Sequence, residues 1–256
     1  MVSKTLLAHD GVRIHYDCGG DPKGTPLILI HGVGSNHTTW HNTARRLKGV
    51  RWIALDSRGH GQSGGAPSVR KTVDDVLSIA DAEGIKKFSV GGMCLGATIA
   101  LDVARRAPTR VESVVVVSPF DKKIVMFSRA VMVLCQCVSS LCRIFPMRKN
   151  LRHVDFTQKP NLPFVLTPLW DLPGIHTRHY ADCAVQTFRT PVSFRDIDVP
   201  VLVVTGNHDR LLKRSVLTSL MQEHGSVRHA QVDANHHILT WKPEQLSSII
   251  NTFMKV

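Results

Sequence analysis

Short apolar runs alternate with longer amphipathic stretches along most of this chain. Pro26-Leu-Ile-Leu-Ile30 is apolar throughout and stops at His31-Gly32; Trp52-Ile-Ala-Leu55 is a second run and stops at Asp56. Lys87-Phe-Ser-Val90 leads into two glycines. Val111 to Val117 and Val199 to Val204 are β-branched runs bounded by Pro119, Pro200 and Gly206. Such runs predict strands buried on both faces of a mostly parallel sheet. Val12 to Tyr16 instead alternates apolar and polar positions, as an edge strand does. Between the runs, residues 69–83, 95–107, 211–224 and 243–254 carry helical patterning. Ala107-Pro108 ends the second helix, because proline cannot extend one, and Pro243 suits the first turn of the last. The alternation predicts an α/β fold with a doubly wound, mostly parallel sheet, whose ligands bind at the carboxyl ends of its strands.

The rhythm breaks between Asp121 and Asp196, where Pro146, Pro160, Pro163, Pro168, Pro173 and Pro191 punctuate helical apolar pieces. The expected organisation is a core built from 1–120 and 196–256, with 121–195 inserted as a helical cap. Ala130 to Cys142 is an uncharged stretch of 13 residues between Arg129 and Arg143. A membrane-spanning helix needs about 20 residues. The stretch therefore reads as a buried cap helix, a wall of an apolar acyl pocket, or an interfacial membrane contact.

Composition narrows the class. A chain of 256 residues, 43% apolar, suits one large α/β domain with an insertion. The N-terminus has no apolar segment of the secretory kind. Cys18, Cys94, Cys135, Cys137, Cys142 and Cys183 are irregularly spaced, which argues for reduced thiols and a cytoplasmic location rather than a disulfide framework. The net charge of +12 is concentrated between Asp121 and Pro160. No nucleic-acid-binding signature accompanies it, so nucleic acid is not an expected partner. An anionic membrane, an anionic substrate carrier and a solvated basic face remain. No metal site or cofactor is expected. Cys135 and Cys137 would face different sides of a helix, and neither they with Cys142 nor His176 with His179 find further ligands nearby in sequence.

The chemistry centres on Ser89-Val-Gly-Gly-Met-Cys94-Leu-Gly-Ala-Thr98. Its core, Gly92-x-Cys94-x-Gly96, has the form of a nucleophile elbow, a strained strand-to-helix turn that lifts one side chain above the sheet. Here the lifted group is a thiol. Four further motifs stand in order around it. They are His31-Gly-Val-Gly34, the Asp56-Ser-Arg-Gly-His-Gly-Gln-Ser63 loop, Gly206-Asn-His-Asp209 after a β-branched strand, and His236 shortly before Pro243-Glu244.

With these motifs in this order, the chain resembles the α/β-hydrolase superfamily over nearly its whole length. The resemblance implies a Cys94–His236–Asp209 triad. Cys94 would attack a carbonyl carbon, His236 would take or share its proton, and Asp209 would hold the imidazole tautomer. The backbone N–H groups of Val33 and Leu95 would bind the oxyanion. His237 is an alternative base and Asp121 an alternative acid. His208 reads as a loop histidine, His31 as a shaper of the oxyanion loop, and Asp56 and Arg58 as loop pins.

Sulfur changes the expected substrate. An acyl-cysteine is a thioester, and a thiol attacks activated acyl groups more readily than it expels a poor alkoxide. The elbow is locally similar to those of dienelactone hydrolases and polyhydroxyalkanoate synthases. The expected activity is an acyl hydrolase or acyltransferase working on hydrophobic esters or thioesters through an acyl-cysteine. The substrate could be linked to coenzyme A or a carrier protein, and an anionic membrane could touch the cap. One alternative is an acyltransferase proper, with an amine or alcohol acceptor; another is a non-catalytic binding protein on a hydrolase fold.

Overall fold

A computed structural model describes residues 1–120, 192–209, 211 and 214–255. Among these, strands β1 (Val2–Leu7), β2 (Arg13–Gly20), β3 (Thr25–Ile30), β4 (Val50–Leu55), β5 (Phe88–Met93), β6 (Val111–Val117), β7 (Val201–Gly206) and β8 (Val227–Val232) form one sheet. Their spatial order is β1-β2-β4-β3-β5-β6-β7-β8, and β2 alone runs against the others. The helices are α1 (His41–Ala44), α2 (Val69–Ala82), α3 (Leu95–Arg106), α4 (Arg214–Gln222), α5 (Ile238–Trp241) and α6 (Pro243–Met254); a 3-10 turn, His37–Trp40, precedes α1.

The continuous apolar runs have a simple cause: both faces of the sheet are covered. Ile28, Ile30, Ile53, Leu55, Val114, Val116, Val201 and Val203 pack with α2, α3 and α4 on one side. Their neighbours Leu27, Leu29, Trp52, Ala54, Val115, Val117, Leu202 and Val204 pack with α1, α5 and α6 on the other. In α6 the buried Leu246, Ile250 and Phe253 follow helical spacing, and each contributes roughly 1.5–3 kcal/mol by leaving water. Ser68 caps α2 by accepting the Lys71 N–H, and Pro243 opens α6.

Two strands were not expected. The residues of β1 are nearly all exposed, and its register on β2, from Val2 opposite Cys18 to Leu7 opposite Arg13, makes it a strand. β8 is similarly polar and is held by parallel pairing to β7. Their backbone partners, rather than a buried face, hold them extended.

This also corrects the reading of Val12 to Tyr16. The strand runs from Arg13 to Gly20 and lies second in the sheet, covered by β1. Arg13 is exposed, but the next polar positions on that face are not. His15 and Asp17 are buried against His37 and His41, at the segment leading into α1. Burial opposes a charge on His37, but Asp17 and Asp56 outweigh it and raise the imidazole pKa to about 9.

The expected cap, 121–195, lies outside the described residues except for its last four. Of those four, Phe194 is fully buried in the core cluster of Val201 and Leu217, and the Phe194 N–H donates to Glu223 beyond α4. Among the described residues no helix is long and apolar enough to cross a membrane.

Candidate active site

Cys94 is the single residue between β5 and α3, and its backbone sits at φ 53°, ψ −114°. An L-residue held there stores about 1–3 kcal/mol of strain, so its surroundings must impose it. The Cys94 N–H donates to the Val117 carbonyl at 3.0 Å, and the Cys94 carbonyl accepts the Ala97 N–H at 3.1 Å. The flanking glycines let the turn close. A Cβ on Gly92 would stand 2.0 Å from the Gly96 carbonyl oxygen, and one on Gly96 would stand 2.3 Å from the Ile30 carbonyl oxygen. Gly96→Ala therefore has to push α3 away from β3. Its expected cost is about 3 kcal/mol, by analogy with overpacked cores, and thermal unfolding measures it. Cys94 alkylation in the same variant reports whether the elbow keeps its shape.

Asp209 and His236 come from neighbouring connections, after β7 and after β8. Gly206 permits their meeting: a Cβ on it would stand 2.3 Å from the Ala234 carbonyl oxygen and 2.5 Å from that of Asn235. The two chains continue paired beyond the strands, with the His208 N–H on the Ala234 carbonyl at 3.0 Å. His236 Nδ1 donates to Asp209 Oδ2 at 2.8 Å, and Asp209 Oδ1 accepts the Leu211 N–H at 2.9 Å. The Asp209 side chain is 2% exposed and that of His236 13%.

The other ring nitrogen, His236 Nε2, is buried and has no hydrogen-bond partner among the described residues. The Cys94 sulfur is nevertheless near enough to favour the imidazolium. Burial works against that charge, but Asp209 first and then Cys94 outweigh it and hold the His236 pKa up to about 10. The adjacent His237 behaves oppositely. Burial, and then the charge of His236, push it down to about 4. The structure thus separates the two histidines that sequence spacing left open, since the Asp209 hydrogen bond belongs to His236. His208 is exposed and faces Asp233 at 3.0 Å. Asp121, the alternative acid, lies outside the described residues.

The loop after β3 comes against the elbow. A Cβ on Gly32 would stand 3.4 Å from the Cys94 Cβ, which brings the backbone leading to Val33 beside the thiol. Leu95 is the first residue of α3, so its N–H has no helical acceptor. His31 braces this loop. Its Nε2 accepts the Ser57 N–H at 2.9 Å, so the proton lies on Nδ1, which donates to the Gly32 carbonyl at 2.7 Å. Burial keeps His31 neutral by lowering its pKa. Asp56 pins the next loop by accepting the N–H groups of His37 and Gln62 at 2.8 and 2.7 Å. Arg58 grips Asp75 through Nε and Nη2, both at 2.7 Å, and Asp10 through Nη1. The groupings with metal-ligand spacing among the described residues contain none of Cys94, Asp209 and His236.

The fold and site together define an enzyme scaffold of the hydrolase type, with a sharp strand-to-helix turn at Cys94 and an Asp–His pair at the carboxyl ends of adjacent parallel strands. The chain belongs to the alpha/beta hydrolase family, whose model matches residues 27–248. It is 27% identical to the provisionally named non-heme bromoperoxidase BpoC of Mycobacterium tuberculosis, over 94% of this chain and 97% of that protein. Among solved structures it is similar to the enol-lactonase from Burkholderia xenovorans LB400, with a TM-score of 0.77 and 19% identity over 99% of this chain and 100% of the other. It is also similar to the thioesterase domain from the curacin biosynthetic pathway, with a TM-score of 0.70 and 18% identity over 98% and 99% of the two chains.

Proposed function

We propose that this protein is an acyl hydrolase or acyltransferase that works through an acyl-cysteine on Cys94, with His236 and Asp209 completing a triad. Family membership supports hydrolase activity on esters or related substrates. The finer reading rests on one observation. The imidazole that Asp209 orients at 2.8 Å has its free nitrogen buried and its charge favoured by the Cys94 sulfur. An imidazolium beside a sulfur stabilises the thiolate, the form that attacks.

In the proposed reaction Cys94 Sγ bonds to the carbonyl carbon of the substrate. The carbonyl electron pair moves to oxygen, where the N–H groups of Val33 and Leu95 receive it, together with the positive end of α3. The intermediate collapses and expels the thiolate or alkoxide leaving group, which takes a proton from His236. His236 then deprotonates the incoming water, amine or alcohol, which attacks the thioester and frees Cys94.

The thioester ground state favours activated acyl groups over simple alkyl esters. The substrate class is therefore hydrophobic esters, enol esters and thioesters, including acyl groups carried by coenzyme A or a carrier protein. The positive charge of the chain suits such anionic carriers. The two cysteines among the described residues, Cys18 and Cys94, are both free thiols, and on this reading the protein is cytoplasmic.

The test is a panel of acyl thioesters, aryl esters and enol lactones, with and without amine or alcohol acceptors, followed by intact-mass and product analysis. The expected result is an acyl adduct on Cys94 that forms fastest with thioesters and enol lactones. No adduct with any member, or one on another residue, overturns the reading. Products in the presence of acceptor distinguish hydrolysis from transfer.

A further inference from the structure

We propose that Asp17, His37 and His41 form an internal site for a divalent transition metal, zinc being the best match, with His15 beside the other oxygen of Asp17. The four side chains come from two elements. His15 and Asp17 lie on one face of β2, while His37 and His41 lie in the 3-10 turn and α1 that follow the His31 loop. All four residues are buried, with exposures of 6%, 2%, 5% and 4% for His15, Asp17, His37 and His41.

The donor atoms of Asp17, His37 and His41 all lie within 4.8 Å of one another, a spacing that a shared metal can bridge. Asp17 Oδ2 is 3.1 Å from His41 Nε2 and 3.4 Å from His37 Nε2, and Asp17 Oδ1 is 3.6 Å from His15 Nε2. Donors about 2.0–2.1 Å from a tetrahedral zinc stand about 3.3 Å from one another. His41 Nε2 is buried, lies 3.1 Å from the Asp17 carboxylate and has no well-formed hydrogen bond among the described residues.

The outer contacts are those a metal ligand uses. His37 Nδ1 is 2.7 Å from Asp56 Oδ1, which turns Nε2 toward Asp17. A carboxylate behind a histidine fixes the ring's tautomer and raises its basicity toward a metal. Ser3 Oγ donates to Asp17 Oδ1 at 2.6 Å, and Gln62 Nε2 lies 3.2 Å from His15 Nε2. Two imidazoles and one carboxylate favour Zn2+ over Mg2+ or Ca2+.

The position gives the site a purpose separate from acyl chemistry. It would tie antiparallel β2 to the segment just beyond the His31 loop, through the same Asp56 that holds the His37 and Gln62 amides. The metal would brace that loop rather than touch substrate.

The test uses the full chain after chelator treatment and gel filtration. Zn2+ binding is followed by calorimetry and by elemental analysis of the repurified protein, and Co2+ is added as a spectroscopic probe. The expected result is one equivalent of Zn2+ per chain. Zinc at about a hundred times its Kd raises the Tm by roughly 5–10 °C. The Co2+ form has the intense visible bands of a tetrahedral ion and no thiolate charge-transfer band, which separates this site from any built by Cys135, Cys137 or Cys142. His41→Asn and Asp17→Asn each lower the affinity at least tenfold. His15→Gln is the milder variant: it keeps a polar side chain and lowers affinity less, even where the others fold poorly. No stoichiometric zinc, a thiolate band in the wild-type cobalt spectrum, or affinity unchanged in folded His41→Asn overturns the proposal.

Discussion

Under the proposed acyl-cysteine mechanism, Cys94→Ala is expected to lower turnover by about 10^4-fold or more and to remove the acyl adduct, while the protein stays folded. The size of the loss follows from what the variant lacks, a bond-forming atom rather than a binding contact. The oxyanion donors and the Asp209–His236 pair remain, but an alanine leaves them nothing to activate. Mass spectrometry after incubation with an acyl thioester checks the adduct, and steady-state kinetics checks the rate. Turnover that persists in Cys94→Ala would move the reaction elsewhere. A companion variant separates catalysis from strain. Cys94→Gly is equally inactive, but glycine accepts φ 53°, ψ −114° without the cost a β-carbon brings. It should be more stable than Cys94→Ala by about 1–3 kcal/mol, read from urea unfolding. Equal stability of the two variants would mean that the elbow stores no strain.

In the same mechanism, His236→Ala is expected to slow acylation of Cys94 near neutral pH by about 10^3-fold or more, because the thiol would lose both its proton acceptor and the adjacent cation. Stopped-flow acylation with a chromogenic thioester measures this, and His237→Ala is the control, expected to change the rate little. An unaffected rate in His236→Ala would transfer the role to His237. The same residue has a signature in stability. Its pKa is near 6.5 in an unfolded chain and about 10 here. Because the folded value is raised, its contribution is fully present below the unfolded value and is lost as the pH climbs through about 10. The stability advantage of wild type over His236→Gln, measured by urea unfolding, should therefore shrink steadily across that alkaline window. A gap that is constant or widens with pH would contradict the ion-paired environment of His236.

The buried half of the sheet was legible from sequence because β3 to β7 are covered on both faces, and burial leaves a continuous apolar signature. β1 and β8 left none, since pairing with a neighbour defines them and pairing partners are distant in sequence. The elbow was legible for a local reason. The close approaches of Gly92 to Gly96 and of Gly96 to β3 demand glycine at fixed spacing around Cys94. Gly206 carries a similar demand, but the sequence marks only the glycine and not the Ala234 segment that crosses it.

The chain alone determined an α/β fold, a thiol at the head of a helix, and the histidines and carboxylates available to it. Those follow from period, from glycine spacing and from residue type, all of which are local. Tertiary structure decided what depends on distance between elements. It put His236 rather than His237 on Asp209, because the paired ends of β7 and β8 hold one ring within hydrogen-bond reach and leave its neighbour buried beside a charge. It also turned the polar face of β2 inward. His15 and Asp17 look like solvent-facing positions in the sequence, and they meet His37 and His41 only because β1 closes the sheet edge and α1 folds over that face. Each pair has a local spacing, His15 with Asp17 and His37 with His41, but only the fold brings the two pairs together.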